Sequence, residues 1–265
     1  MATLAPWQFE LVSHVLTVGY AAMAASLLYF ILSVKSNSPK YRPSQILSVV
    51  VMVSALLLLF EQQNNWVESF NPVTTAGVIT GYDYLGNFSN GFRYLNWMID
   101  VPMLLIQILF VVGITGKAFK KYVAQFATFG VLMIITGYIG QFYEPNYGLD
   151  DSGDLVMWLV WGLISTVFYV FVLVYITRVI KEGKANLKKS SSLGLFSFIL
   201  PLFYVSWTIY PIAYVMPLLE NFELAIVSQQ VLYTIADVSS KVIYGVILTI
   251  VSTILSKEEG FEEAA

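Results

Sequence analysis

Residues 93–110 read RYLNWMIDVPMLLIQILF, a mostly apolar stretch that nevertheless contains Arg93, Asn96, Asp100 and Gln107. These four residues are separated by three, four and seven positions. At about 100° per residue they lie within about 60° of one another on a helix, so they form a single stripe. A helix surrounded by lipid needs no such side chains. The stretch therefore predicts a membrane-spanning helix with one polar face turned toward other helices.

The composition of the whole chain agrees with a membrane protein. Of its 265 residues 57% are hydrophobic and 12% are charged, against about 25% charged residues in typical soluble domains. The chain has no cysteine, which excludes disulfides and thiolate metal sites. The first residues, MATLAPWQFE, contain an acid and no basic cluster, so they do not resemble a cleavable signal peptide.

Seven apolar stretches are long enough to cross a bilayer, which takes about 20 helical residues. We place them at Leu11–Val34, Ser44–Val67, Phe92–Thr115, Tyr122–Tyr143, Leu155–Ile180, Leu193–Pro217 and Ala225–Leu255. Helices satisfy every backbone polar group inside the segment, so an all-α bundle of seven transmembrane helices in one domain, 1–265, is predicted. The long connection 70–92 has room for a short hairpin, and residues 256–265 are predicted to be a frayed acidic tail.

The distribution of charge predicts the orientation of the bundle. Twelve of the fourteen cations lie on one side: Lys35, Lys40, Arg42, Lys117, Lys120, Lys121, Arg178, Lys181, Lys184, Lys188, Lys189 and Lys257. The opposite connections hold acids instead: Glu68, Asp83, Glu144, Asp150, Asp151, Asp154, Glu220 and Glu223. The positive-inside rule then places the N-terminus outside and the C-terminus in the cytoplasm.

The two remaining cations are Arg93 and Lys241, and Lys241 falls near the middle of the seventh stretch. A charged lysine at that depth costs at least about 2.5–3.5 kcal/mol, which indicates a functional site. Asp237 precedes it by four residues, on the same helical face. The pair is either a structural ion pair or a desolvated lysine suited to forming a Schiff base with an aldehyde.

A bound chromophore needs a cage, and aromatic and small residues at suitable depths offer one, although such residues are also ordinary packing. The candidates are Trp97, Met133, Gly137, Trp161, Trp207, Tyr210, Pro211 and Tyr214.

The segments DVSSKVIYG, RYLNW and WTIYP together resemble the microbial (type 1) rhodopsins, the retinal-binding seven-helix proteins, over essentially the whole chain. The third helix is similar to the sodium-pumping branch, which has Asn, Asp and Gln at three positions that match Asn96, Asp100 and Gln107. The resemblance implies all-trans retinal on Lys241 and adds Ser165 and Ser240 to its pocket. It implies no enzymatic activity and no permanent metal site.

The same resemblance implies roles along the third helix. Proton-pumping relatives carry acids where this chain has Asn96 and Gln107, and amides do not exchange protons at neutral pH. Asp100, with Asp237 as a second carboxylate, is then the counterion and the transient proton acceptor. Asn96, Asp100 and Asp237 are the expected transient sodium ligands. Interhelical hydrogen bonding is the alternative role for the two amides.

Four residues are expected along the outer route. Arg93 resembles the outer gate of the family, Glu144 its outer-surface acid, and Ser54 the serine that bonds near the counterion. Glu61 lies seven residues beyond Ser54 on the second stretch. We expect it to line the outer vestibule near Arg93 and to pair with it, the alternative being an ordinary interfacial glutamate.

Three positions depart from the sodium pumps. Gln229 stands where an arginine is often found, which puts an Arg–Glu release cluster in doubt. Gln45 and Thr249 stand where Asn and Gly often line the cytoplasmic entrance, so the selectivity and rate of that branch do not carry over.

His14, the single histidine, is expected to contact a neighbouring protomer, with plain packing as the alternative. The family's usual acidic partner is absent at Gly86, and Asp83 is a substitute.

The leading functional prediction is a light-driven outward sodium pump in a prokaryotic plasma membrane. The implied partners are the lipid bilayer, sodium ions and further copies of the chain in a pentamer, with no nucleic acid. The alternatives are a light-driven proton pump, especially without sodium, a sensory photoreceptor, and a seven-helix protein that does not respond to light.

Overall fold

The computed structural model describes residues 2–262 except 148, 150–152 and 220. Its elements are, in chain order, β1 (Thr3–Leu4), α1 (Pro6–Ser33), α2 (Arg42–Glu68), β2 (Phe70–Thr75), β3 (Val78–Tyr84), α3 (Gly91–Val111), α4 (Gly116–Gln141), α5 (Leu155–Asn186), α6 (Leu193–Phe196), α7 (Ile199–Tyr214), a 3-10 turn (Met216–Leu219), α8 (Phe222–Asp237), a π turn (Val238–Ile243) and α9 (Tyr244–Glu258). In the described residues, seven helical units are long and apolar enough to cross a membrane. The predicted seven-helix bundle is confirmed.

The helices form a closed bundle. Each unit packs against the next in the chain, and α8 of the seventh unit packs against α1 of the first. Polar side chains such as Asn96 and Gln107 are fully buried beside an apolar core, whereas many apolar side chains, such as Leu32 and Leu163, are exposed on the outside of the bundle. This distribution suits a lipid solvent, in which an outward apolar side chain costs nothing and an inward polar one finds a partner.

The helices do not end where the apolar stretches end. α4 begins at Gly116, before the predicted Tyr122, and α5 continues to Asn186, past the predicted Ile180. Backbone hydrogen bonding continues where side chains become polar, so most of the predicted loop lysines lie on helical turns. α3 ends at Val111 instead of Thr115, because Gly113 has a φ of +71° and leaves the helix there.

A small antiparallel sheet covers one end of the bundle, which we call the hairpin end. Its strand order is β1-β3-β2, and it confirms the hairpin predicted within 70–92. Thr3 pairs with Asp83 across β1 and β3, and the Thr3 hydroxyl donates to the Asp83 carboxylate. The chain's first residues are thereby tied to the connection between α2 and α3.

The opposite end, which carries the α1–α2, α3–α4 and α5–α6 connections and the end of α9, we call the tail end. The prediction of a frayed tail over 256–265 is wrong for its first part. α9 continues to Glu258, and Phe261 donates its backbone N–H to the carbonyl of Ser256 at 2.9 Å. The segment is held because its acids find partners in two connections of the bundle. Residues 263–265 lie outside the described residues, as do Asp150, Asp151 and Glu220.

Candidate functional site

Four charged side chains meet in the middle of the bundle. Lys241 Nζ lies 2.6 Å from an Asp237 oxygen and 3.4 Å from an Asp100 oxygen. Arg93 pairs with the other Asp237 oxygen at 2.8 Å. All four are at most 1% exposed. Two cations and two anions make the cluster neutral, which is what permits it in a low-dielectric interior.

The two carboxylates are held very differently. Asp237 accepts hydrogen bonds from Lys241, Arg93, the Trp97 indole at 2.9 Å and the Tyr210 hydroxyl at 2.9 Å. Four donors, two of them charged, fix it as an anion. Asp100 accepts a bond from Asn96 at 2.7 Å and lies 3.4 Å from Lys241 Nζ, both through Oδ2, whereas its Oδ1 has no partner among the described residues. Asp100 is therefore the carboxylate with free capacity to take a proton.

Asn96 lies between the lysine and Asp100 and uses its whole amide there. Its Oδ1 accepts from Lys241 Nζ at 2.5 Å. Its Nδ2 donates to Asp100 at 2.7 Å and to the Ser54 hydroxyl at 3.0 Å. The structure thus brings together Ser54, Asn96, Asp100 and Lys241 as the sequence predicts.

Arg93 is positioned by span seven and not by Glu61. It donates to Gln230 Oε1 at 3.3 Å and to the Thr234 hydroxyl at 3.0 Å, in addition to Asp237. Glu61 is exposed on the outer face of α2, and its carboxylate accepts a weak bond from Asn64 at 3.5 Å. The predicted Glu61–Arg93 pair is wrong, because the inward face of α2 at this level is formed by Leu59 and Gln62. Glu61 is turned about 100° from Gln62 around the helix axis and faces outward.

Gln230 and Thr234 were missed by the sequence analysis. Spacings of four, three and four residues separate Gln230, Thr234, Asp237 and Lys241. These spacings place all four on one face of a helix. That periodic stripe was a usable signal.

A cavity with an empty volume of about 780 Å³, part of it open to the outside of the bundle, has Lys241 in its lining. Nine of the ten predicted pocket residues line it: Trp97, Met133, Gly137, Ser165, Trp207, Tyr210, Pro211, Tyr214 and Ser240. Trp161 instead lies beside Gly140, outside the described lining. Tyr94, Val101, Gly162 and Tyr169 also line the cavity and were not predicted. The walls are largely apolar and aromatic.

On the tail side of the cluster, polar side chains continue between α2, α3 and α9. Gln107 Oε1 accepts from the Ser48 hydroxyl at 2.8 Å, and Thr249 donates to Gln45 Oε1 at 2.6 Å. Gln107 therefore makes the interhelical bond that was its alternative role. The Nε2 atoms of Gln45 and Gln107 have no protein partner among the described residues, although both side chains are fully buried.

On the hairpin side, amides connect Arg93 to Glu144. Gln229 Nε2 donates to the Glu144 carboxylate at 2.8 Å. Gln229 Oε1 accepts from Asn90 at 3.1 Å and from the Tyr147 hydroxyl at 2.8 Å. Asn90 in turn accepts from Gln230, which holds Arg93. Amides thus link Glu144 to Arg93, and among the described residues no cation lies beside the Glu144 carboxylate. A role of this network in ion release stays a prediction.

No cation among the described residues compensates the charge of Glu144, and its carboxyl should titrate near neutral pH. Burial raises the pKa of its carboxyl to about 7, and the bond from Gln229 only partly opposes this. A folded-state pKa above the unfolded value means that the folded protein binds more protons, so the contribution to stability is complete below about pH 4.5 and is lost as pH rises through about 7.

Between pH 5 and pH 8 the free energy of unfolding in detergent should fall in both proteins, and in the parent by about 1–2 kcal/mol more than in Glu144→Gln. The expected difference is of this modest size because the Glu144 side chain is only partly buried by surface area. Denaturant titrations of the two proteins at several pH values measure this. Parallel pH profiles would show that Glu144 does not titrate in this range.

His14 is exposed on α1, away from the charge cluster. Asp83, its suggested acidic partner, accepts a bond from Thr3 within its own chain. A contact of His14 with another copy stays a prediction.

This geometry can be compared with known proteins. The profile of the Bac_rhodopsin family, bacteriorhodopsin-like proteins, matches residues 10–255. The chain belongs to this family of microbial rhodopsins. Xanthorhodopsin, described as a light-driven ion pump with dual chromophore, is 30% identical, with a TM-score of 0.84 over 99% of this chain and 100% of that one.

Two further relatives share a smaller fraction of identical residues with this chain. A green-light absorbing proteorhodopsin from gamma-proteobacterium EBAC31A08 is 21% identical over 236 residues, 86% of this chain and 81% of that protein. The chloride pump halorhodopsin is 18% identical, with a TM-score of 0.67 over 94% of this chain and 97% of that one, and shares the fold.

The microbial rhodopsin family is one of light-driven ion pumps with a retinal chromophore, and the residues of this member fit that group. The cavity is largely apolar, it is lined by aromatic rings, and a buried amine, that of Lys241, stands in its wall. Lys241 would hold retinal covalently, while Trp97, Trp207 and Tyr210 would enclose the polyene. The chain is a seven-span membrane protein of this family.

Proposed function

We propose that the protein exports sodium ions, driven by light, across the plasma membrane of a prokaryote, with the hairpin end outside and the tail end in the cytoplasm. One observation carries the proposal: the Asn96 amide stands between Lys241 and the proton-accepting Asp100. An amide there cannot take the proton itself, and it offers an oxygen at the centre of the bundle. The excess of lysine and arginine at the tail end supports this orientation.

Retinal, when bound, supplies light absorption and a change of shape at the lysine end. With retinal on it, the Lys241 nitrogen would carry a single N–H in its cationic form, so it could not maintain all three contacts of the free ammonium. Asp237 is saturated by its other donors, whereas Asp100 has a free oxygen. The proton of Lys241 Nζ accordingly goes to Asp100.

That transfer lowers the barrier to a cation. Before it, a cationic nitrogen stands in the path; afterwards Lys241 and Asp100 are both neutral. Asn96 Oδ1 no longer accepts a bond from the lysine and is free, with Asp237, to face a hard cation that prefers oxygen ligands. Arg93 keeps its charge on the hairpin side and opposes return of the ion.

The proton returns from Asp100 to the lysine nitrogen. Gln107, toward the tail end, bears no exchangeable proton at neutral pH. Proton movement is thus internal, and the ion transported is the cation.

Light-induced pH change in an unbuffered suspension of retinal-supplied cells tests the proposal. In NaCl with a protonophore, we expect alkalinisation that grows with the protonophore, because exported sodium draws protons inward. In KCl the signal should vanish or reverse. Cells expressing Lys241→Ala are the control without chromophore.

A light-driven proton pump is the second candidate, favoured by the short distance between Lys241 and Asp100 and by the buried acid Glu144. Its signature in the same experiment is acidification in both salts, abolished by the protonophore. That outcome would reject the sodium assignment.

Two subsidiary proposals accompany this function. We propose a homo-oligomer, with the exposed His14 at the contact between copies; cross-linking in native membranes measures it. We also propose that the protein is a transporter without enzymatic activity.

A further inference from the structure

The end of the seventh span holds two separate connections of the bundle. Glu259 accepts from Lys40 Nζ at 2.6 Å and from the Tyr41 hydroxyl at 2.7 Å, both in the α1–α2 connection. Glu258 accepts from the backbone N–H and the hydroxyl of Ser191, in the α5–α6 connection, at 2.8 and 2.7 Å. We call residues 258–261 the tail clasp.

The clasp has a defined shape. Gly260 has a φ of +79°, and its N–H bonds to the carbonyl of Lys257, while Phe261 bonds to Ser256. This is the glycine-terminated helix end in which the chain turns back on the last turn. The turn brings the Phe261 ring to 5.8 Å from the Arg42 guanidinium.

The clasp lies at the end of the polar stripe of α9. From the cluster outward, Thr249 bonds to Gln45, Thr253 to Asn37 at 3.4 Å, and the Ser256 hydroxyl accepts from the backbone of Ser38 at 2.9 Å. Several buried polar atoms along it have no protein partner among the described residues: Ser38 Oγ, Ser44 Oγ, Gln45 Nε2 and Gln107 Nε2. Unpaired buried polar atoms mark a route that admits polar guests.

We propose that the tail clasp is a lid that closes the tail end of this polar route in the dark and opens by releasing the α1–α2 connection. That this route is the entry path of the transported ion rests on the proposed function. That the route is polar and closed by the clasp does not depend on it.

The contacts suit a lid that opens readily. The Lys40 and Glu259 side chains are 52% and 43% exposed, and ion pairs so exposed to water are weak and screened by salt. Partial burial works against ionisation of Glu259, but the bonds from Lys40 and Tyr41 lower its pKa below the usual value. The lid is therefore held by charged, partly exposed contacts that can break and re-form.

A single introduced cysteine reports on the lid, because the natural chain has none. Ser44 is fully buried on the route and differs from cysteine by one atom. In Ser44→Cys, we measure labelling by a small cationic methanethiosulfonate in open membranes, in the dark. Adding Glu259→Gln should speed labelling about threefold to fivefold, the effect of losing one exposed ion pair.

Glu262→Gln, which removes the same charge from an exposed residue three positions later, is the matched control and should label like the parent. High salt should speed labelling in the parent and leave Glu259→Gln unchanged. Equal rates in all three proteins, or equal acceleration by Glu262→Gln, would overturn the lid. The labelling assay involves no light and no ion gradient, so it is independent of the sodium test. If the sodium test showed proton pumping, the lid proposal would still stand or fall on the labelling rates alone.

Discussion

Asp100→Asn should abolish light-driven sodium export, lowering its initial rate at least about a hundredfold, the scale of losing an essential proton acceptor. In the structure Asp100 is the carboxylate with an unpaired oxygen near the lysine nitrogen. Its replacement leaves Asp237, which four donors already saturate. The Lys241 nitrogen then keeps its proton and its positive charge, which blocks the path of the ion.

The variant should still bind retinal, because Asp237 remains as the anion beside Lys241. Its absorption band should shift, since one of two negative charges near the nitrogen is gone. Asp154→Asn is the matched control: Asp154 caps α5 by accepting from the N–H of Met157, and asparagine caps as well as aspartate. Native transport by a coloured Asp100→Asn protein would refute the assignment of Asp100.

Asp237→Asn should destabilise the protein by about 3–5 kcal/mol, the range for removing one partner of a buried ion pair. Arg93 and Lys241 would then share the interior with one anion, Asp100. Trp97 and Tyr210 would also exchange a charged acceptor for a neutral one.

A double-mutant cycle separates charge balance from lost hydrogen bonds. Arg93→Gln with Asp237→Asn leaves Lys241 and Asp100, a neutral pair, so the double variant should lose about 2 kcal/mol less than the sum of the single losses. Denaturant titration in mixed micelles gives the four free energies of unfolding. Additive losses would mean that the four charges do not act as one neutral cluster.

Much of the fold was predictable because the bilayer permits few solutions. Runs of apolar residues give the seven spans, and charges inside them stand out because each must be compensated. Lys241, Asp237 and Asp100 were identified in this way, and the structure brings them within a few ångströms.

Other features depend on which way a helix face turns, which a single sequence specifies poorly. Glu61 and Ser54 share α2, yet Ser54 faces Asn96 and Glu61 faces outward. The docking of Glu258 and Glu259 needs partners from distant connections, so an acidic terminus looked frayed. Trp161 was placed in the pocket by its type, but its helix directs it toward Gly140.

The π turn at Val238–Ile243 changes the phase of the seventh span. In an uninterrupted α-helix, Asp237 and Thr249 would differ by about 120° in azimuth, at 100° per residue. A π turn takes up one surplus residue, which resets that difference to about 20°. The polar stripe of α8, which holds Arg93, and that of α9, which leads to the tail end, are thereby brought into line. The extra residue thereby joins two half-helices, each with its own polar face, into one span with a continuous polar face and Lys241 at the junction.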